Sequence, residues 1–192
     1  MTHQEQDLTD RDLWRGVAAG DRLAFAEIFD RHAGAVYGHL LRRMGDHGEA
    51  EDLTSAVFLA AWRRRGEVRL DRESVLPWLL GTANHTLANR RRALKRYRAL
   101  VERVPPPPDI PDHAEDVATR LDAERRAAAL RRSVGRLPRH ERDVVELCVW
   151  GGLDQQAAAV ALGIPIGTVK ARMHRARNRL GTLVPEELEK ER

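Results

Sequence analysis

The sequence predicts an all-α protein: two small helical domains joined by a flexible, proline-rich acidic linker, the C-terminal one containing a helix-turn-helix. Three observations predict it. Apolar residues recur at helical spacing through most of the 192 residues, five prolines and four acids interrupt that pattern between Pro105 and Ala118, and two late helical segments meet at a single glycine, Gly163.

In the N-terminal half, Phe25, Ile28 and Phe29, then Val36, Leu40 and Leu41, then Leu53, Val57, Leu59 and Ala60 each mark a helix face, and Gly45 to Gly48 breaks the second segment from the third. Pro77 opens a further helix whose seam is Leu76, Leu80, Ala83 and Leu87. That helix runs into RRRALKRYR, residues 90 to 98, with six basic residues and no acid, so its C-terminal half is a positive rod. The stretch VPPPPDIPDHAEDVA that follows cannot bury enough apolar surface to order itself, and marks a domain boundary. The boundaries predicted are 10–98 for the first domain, 99–120 for the linker and 121–184 for the second domain.

Helical periodicity resumes near Leu121, stops at Arg136 and Leu137, restarts after Pro138 and passes through Val144, Val145, Leu147 and Trp150. Asp154 is a candidate cap for a short alanine-rich helix, Gln155 to Leu162, and Gly163 suits the positive φ where that helix stops. In the next helix Val169, Met173, Ala176 and Leu180 form one apolar stripe. Lys170, Arg172, Arg175, Arg177 and Arg179 crowd the remaining surface without an acid among them. At about 100° per residue, Gly167, Ala171, His174 and Asn178 point away from the stripe, flanked by Thr168, Lys170 and Arg175. This small and polar strip has the character of a surface that enters a major groove; a solvated basic face is the competing reading.

Charge and composition narrow the classes. A pI near 9.8 with a net charge of +4 fits a polyanionic partner, with the basic charge clustered rather than spread. Cys148, the only cysteine, sits among Val144, Val145, Leu147 and Val149 as a core filler, which excludes an intramolecular disulfide and favours a cytoplasmic location. The polar, acidic start of the chain lacks the features of a signal peptide, and no run reaches the length of a membrane span. Eight histidines show no metal-ligand spacing, and no phosphate loop or nucleophile motif occurs, so no metal, cofactor or catalytic residue is expected and the chain does not read as an enzyme.

Three blocks then carry a resemblance: AEDLTSAVFLAAW (Ala50 to Trp62), PWLLGTANHTLANRRR (Pro77 to Arg92) and LGIPIGTVKARMHRARNRL (Leu162 to Leu180). In that order they resemble an extracytoplasmic-function sigma factor of the sigma-70 family. The resemblance implies that the first block docks on the clamp helices of RNA polymerase through Glu51, Asp52, Phe58, Leu59 and Trp62. Ser55 and Ala56 depart from it, standing where the family usually has a Gln and an acid. The second block is similar to the element that captures and melts the minus-10 region. It implies hydrogen bonding from Asn84, His85 and Asn89 beside the loop of Arg69, Asp71, Arg72 and Ser74, and positive charge from Arg90, Arg91, Arg92, Lys95 and Arg96. His85 stands where the family typically has an Asn.

The third block implies reading of the minus-35 element, on the face that the helical wheel selects independently. Base-reading candidates are Lys170, Ala171, His174 and Arg175, of which Arg175 is favoured because a guanidinium takes two hydrogen bonds from a guanine edge. Arg172, Arg177 and Arg179 are assigned to phosphates, with Thr168 and Asn178 flanking. For the linker the resemblance implies passage through the polymerase's RNA-exit channel by Asp109, Asp112, Glu115 and Asp116; a plain tether is the other reading. The partners implied are core RNA polymerase and promoter DNA, with an anti-sigma protein as a further candidate and no membrane insertion. A stand-alone helix-turn-helix repressor or activator is the alternative function, and the block from Ala50 to Trp62 discriminates, since such a protein has no use for it.

Overall fold

The structure, a computed structural model, describes residues 8–70, 73–101 and 118–189, and among them every regular element is helical. Helix α1 spans Asp10–Ala18, α2 Arg22–Met44, α3 His47–Arg63, α4 Leu76–Val101, α5 Ala118–Arg136, α6 Arg139–Val145, α7 Gln155–Leu162 and α8 Ile166–Glu189. A π-helical turn, Glu146–Trp150, continues α6 directly, and the Gly151 N–H reaches back to the Glu146 carbonyl at 2.9 Å.

Local chemistry sets the boundaries. Asp21 caps α2 by accepting from the Leu23 and Ala24 N–H groups at 2.8 and 3.2 Å, and Asp46 caps α3 through Glu49 N–H at 2.7 Å. Between them Gly45 takes φ 75°, which ends α2 where the sequence predicts a break. The expected cap of α7 is also formed: Asp154 accepts from Ala157 N–H at 2.6 Å, and Gly163 lies at φ 62°. Helix α8 is longer than the pattern that announced it, and α5 begins at Ala118 rather than near Leu121. The acidic linker residues, Asp109, Asp112, Glu115 and Asp116, lie outside the described residues.

Helices α1 to α4 form one packed group. Ile28, Val36 and Leu40 of α2 meet Leu53, Val57 and Phe58 of α3 and Leu79, Leu80, Ala83 and Leu87 of α4, all buried. Aromatic rings tighten the α2–α3 contact, with Phe29 against Phe58 at 4.7 Å and Phe25 against Trp62 at 5.1 Å between centroids. Helices α5 to α8 form the second group around Val144, Val145, Leu147, Val169, Met173 and Ala176. The three seam residues of α8 predicted to be fully apolar contacts, Val169, Met173 and Ala176, are buried as expected, and Leu180 packs against them part-exposed.

The two groups are docked on each other, which periodicity alone does not predict. Helix α4 lies along α7 so closely that a Cβ on Gly81 would stand 2.7 Å from the Ala161 carbonyl oxygen. Helix α2 meets the π-helical turn, where an Arg42 guanidinium donates to the Trp150 carbonyl at 2.9 Å. Their buried residues therefore join in one hydrophobic cluster.

Candidate nucleic-acid and polymerase interface

The exposed strip of α8 is built by its seam. Because Val169, Met173 and Ala176 are held inward, Lys170, Ala171, His174, Arg175, Arg177, Asn178 and Arg179 are turned outward and exposed, with Thr168 half-buried beside them. His174 and Asn178, one turn apart, approach each other at 3.3 Å. Arg172 departs from the expected phosphate-facing position. It is half-buried and lines a cleft between the two groups of helices, together with Gly81, His85, Arg139, His140 and Asp143.

Sequence reasoning missed Glu141. It lies in the first turn of α6, 1 % exposed, with its carboxylate 3.5 Å from Arg175 Nε and 3.1 Å from Arg179 Nε. The two arginines assigned to separate tasks thus share one buried acid. A signal was available: Glu141 sits at i−3 and i−4 from Val144 and Val145, on the apolar face of α6.

The second block surrounds a cleft formed by Arg64, Arg69, Leu70, Ser74, Pro77, Trp78, Thr82 and His85, and Val160 and Ala161 of α7 wall its far side. Arg69 and His85 are exposed, as are Asn89, Arg91, Arg92 and Arg96. Asp71, Arg72 and the side chain of Lys95 lie outside the described residues. Ser74 is anchored rather than free, since its hydroxyl donates to Asp10 at 2.9 Å; the same Asp10 carboxylate accepts from Val75 N–H at 3.0 Å. Burial raises the Asp10 pKa, but the Val75, Ser74 and His32 contacts outweigh it and hold the carboxyl below the usual range. Arg90 is drawn to Glu49 at 3.1 Å, and Arg91 donates to the Arg43 carbonyl.

Asn84 is a correction to the sequence reading as a surface hydrogen-bonding residue. It is only 7 % exposed, and its side-chain oxygen accepts from His39 Nε2 at 2.8 Å and from an Arg43 amine. Its neighbours form a buried charged group. Arg43 pairs with Glu146 of the π-helical turn at 2.6 Å, their side chains 4 % and 3 % exposed, so the ion pair ties α2 to the second group of helices.

Burial sets the titration of this group. It pushes Glu146 up to about 7, opposed by Arg43 and reinforced by Asp143, and pushes His39 down to about 4, opposed by the Asn84 hydrogen bond and reinforced by Arg43 and Arg42. His39 is then neutral, with Nε2–H donating to Asn84. A histidine with a depressed pKa adds stability that is lost as pH falls below about 6.5, whereas a carboxyl with a raised pKa adds stability that is lost as pH rises from about 4.5 to 7. The two slopes cancel between pH 4.5 and 6.5. Glu146→Gln removes one of them, so its stability is expected to rise with pH, relative to the parent, by up to about 1.4 kcal/mol per unit in that window. Urea titrations at pH 5 and 6.5 measure the difference, and equal slopes for parent and variant would refute the assignment.

In the first block Glu51, Asp52 and Leu59 are exposed on α3, and Trp62 is half-buried with the Arg65 guanidinium 4.5 Å above its ring. Phe58 departs from the expected surface role: it is 3 % exposed beneath Phe25 and Phe29. Phe29 of α2, which the sequence places on an apolar helix face and not among the docking residues, is 41 % exposed instead. With Ala33, Gly34, Tyr37, Glu51, Thr54 and Ser55 it lines a shallow groove between α2 and α3. Cys148 is half-buried with its thiol pushed up, by burial first and Asp154 second, as befits a packing residue. Among the described residues no acid, histidine and cysteine cluster fit for a metal occurs, and no helix is long and apolar enough to cross a membrane.

Comparison with known proteins matches residues 28–97 to the Sigma-70 region 2 family and residues 127–180 to the Sigma-70, region 4 family. The chain is 30 % identical over 184 residues to the ECF RNA polymerase sigma factor RpoE of Cereibacter sphaeroides, covering 91 % of this chain and 96 % of that one. It is 31 % identical over 169 residues to the ECF RNA polymerase sigma factor SigK of Mycobacterium tuberculosis, covering 85 % and 87 %. In three dimensions it is similar to CnrH, solved in complex with the cytosolic domain of CnrY, with a TM-score of 0.67 at 26 % identity over 92 % of this chain and 97 % of that one. The sigma factor RpoE of Bartonella quintana, solved with the anti-sigma factor NepR, shares the fold with a TM-score of 0.61 at 22 % identity, covering 84 % and 96 %.

Proposed function

The chain belongs to the extracytoplasmic-function sigma factors of the sigma-70 family, and from that membership we propose a division of labour among its surfaces. As an RNA polymerase sigma factor it binds core RNA polymerase and directs promoter-specific initiation of transcription. The polymerase supplies the chemistry, and this chain acts by binding and is not itself an enzyme. Its place of action is the cytoplasm, where both polymerase and promoter are found. An anti-sigma protein is a further partner, in line with the anti-sigma factor NepR bound to the RpoE of Bartonella quintana.

Residues 10–98 form the part that docks on polymerase and engages the minus-10 region, 99–120 the linker, and 121–184 the reader of the minus-35 element. Docking uses Glu51, Asp52, Leu59 and Trp62 with Phe29 added, and Phe58 supports them from beneath. Arg69, Asp71, Arg72, His85 and Asn89 contact the minus-10 strand, and Arg90, Arg91, Arg92, Lys95 and Arg96 hold its phosphates. Asn84 serves that surface indirectly, by fixing α4 on α2. Lys170, Ala171, His174 and Arg175 face minus-35 bases, with Thr168, Arg177, Asn178 and Arg179 on the backbone, while Arg172 is turned into the cleft between the two groups of helices.

The observation that carries this reading is the exposed face of α8, which offers arginine, lysine, histidine and asparagine with no acid above a buried seam. Run-off transcription with purified core polymerase on a promoter library tests docking, sequence preference and opening together. Asp52→Arg combined with Trp62→Ala is expected to weaken polymerase binding about tenfold or more. A helical variant by circular dichroism that binds polymerase like the parent would remove α3 from the docking surface.

A further inference from the structure

We propose that Glu141 is a positioning residue for minus-35 recognition: its buried carboxylate holds the Nε edges of Arg175 and Arg179, so that their terminal amines are presented to the DNA. The proposal rests on the reading of α8 as the minus-35 reader and extends it to a residue outside that helix.

A carboxylate that is 1 % exposed is costly to bury unless cations compensate it. Within reach are Arg179 Nε at 3.1 Å, Arg175 Nε at 3.5 Å and the exposed His140 Nε2 at 3.7 Å. No aligned hydrogen bond satisfies Glu141 Oε2, so charge attraction from the arginines is its compensation. Residues 175 and 179 are i and i+4 on α8, one turn apart on one face, which is why a single acid beneath can serve both. The contact is made at Nε in each case. A guanidinium is a rigid planar fork, so a contact nearest Nε leaves the opposite edge, Nη1 with Nη2, for another partner. The two side chains stay 51 % and 56 % exposed, and that edge is the one able to make two parallel bonds to a guanine or a phosphate. An unbraced arginine has to lose rotamer freedom on meeting DNA; attraction to the buried carboxylate lowers that loss for these two.

The test is run-off transcription by the full chain assembled with core polymerase, on promoters varied singly at each minus-35 position. Glu141→Gln keeps the shape and removes the charge. It is expected to lower discrimination about 3- to 10-fold at the same position that Arg175→Ala relaxes, and the double variant should discriminate no worse than Arg175→Ala alone. A second measurement does not depend on transcription: the Nε resonances of Arg175 and Arg179 in the free chain should shift in Glu141→Gln, while those of Arg177 stay in place. Unchanged discrimination in Glu141→Gln, an equal loss on every promoter, or unmoved Arg175 and Arg179 resonances would each overturn the proposal. If Arg175→Ala alters no position while the two resonances do shift in Glu141→Gln, the pairing stands but the base-reading role fails, and the positioning proposal fails with it.

Discussion

Arg43→Met is expected to be the most damaging single substitution away from the DNA-facing surfaces, costing about 1–3 kcal/mol, because it leaves the Glu146 carboxyl buried without its hydrogen-bonding partner. The carboxylate is 3 % exposed and its nearest cation is Arg43, so burial alone would then decide its state. The substitution also takes a donor from Asn84, whose oxygen would keep only His39. Arg43→Met with Glu146→Leu should recover most of the loss, since an apolar pair of similar volume removes the desolvation cost together with the attraction. Urea unfolding followed by circular dichroism compares the three proteins. A single variant as stable as the parent, or a double variant no better than the single, would mean that the ion pair contributes little to holding α2 on the second group.

Gly81→Val acts on the same interface by volume rather than charge. The added Cβ would meet the Ala161 carbonyl oxygen at 2.7 Å, and backbone cannot yield as a flexible side chain does. The expected cost is about 1–3 kcal/mol, borne by the contact between α4 and α7 and not by either group's own core. Undocking would uncover the cleft walled by Val160 and Ala161, leaving Trp78, Thr82 and His85 open on that side. Small-angle scattering should report a larger radius of gyration with helicity unchanged. If the radius stays the same, α4 and α7 have a softer contact than the glycine implies.

Much of this was legible in the sequence, for reasons that differ by element. The caps at Asp154 and the stop at Gly163 are local chemistry and could be read directly. The α8 seam follows from a period that holds over about three turns, from Val169 to Leu180. The docking of α4 on α7 was not legible, because Gly81 reads as a weak point in a helix until its neighbour is known. The same holds for Asn84. In a row with His85 and Asn89 it resembles one more surface donor, yet helical phase turns it inward beside Ala83 and Leu87. His39, Arg43 and Glu141 offered a better clue, each being a polar residue on an apolar stripe; such a residue signals a buried partner without naming it.

The π-helical turn has a bearing on which changes of length this chain can accept. A turn that closes its hydrogen bond over five residues instead of four carries one residue more than an α-helix of the same rise. Its effect is a slip of phase by about 100° in everything that follows along the axis. Glu146 enters the turn aimed at Arg43, and Trp150 leaves it with its carbonyl aimed at Arg42, so both ends are registered against α2 by that one extra residue. Losing a residue here would be unlike losing one from a surface loop. The helix could close smoothly, and the recognition helices beyond it would then be presented to the rest of the molecule from the wrong side.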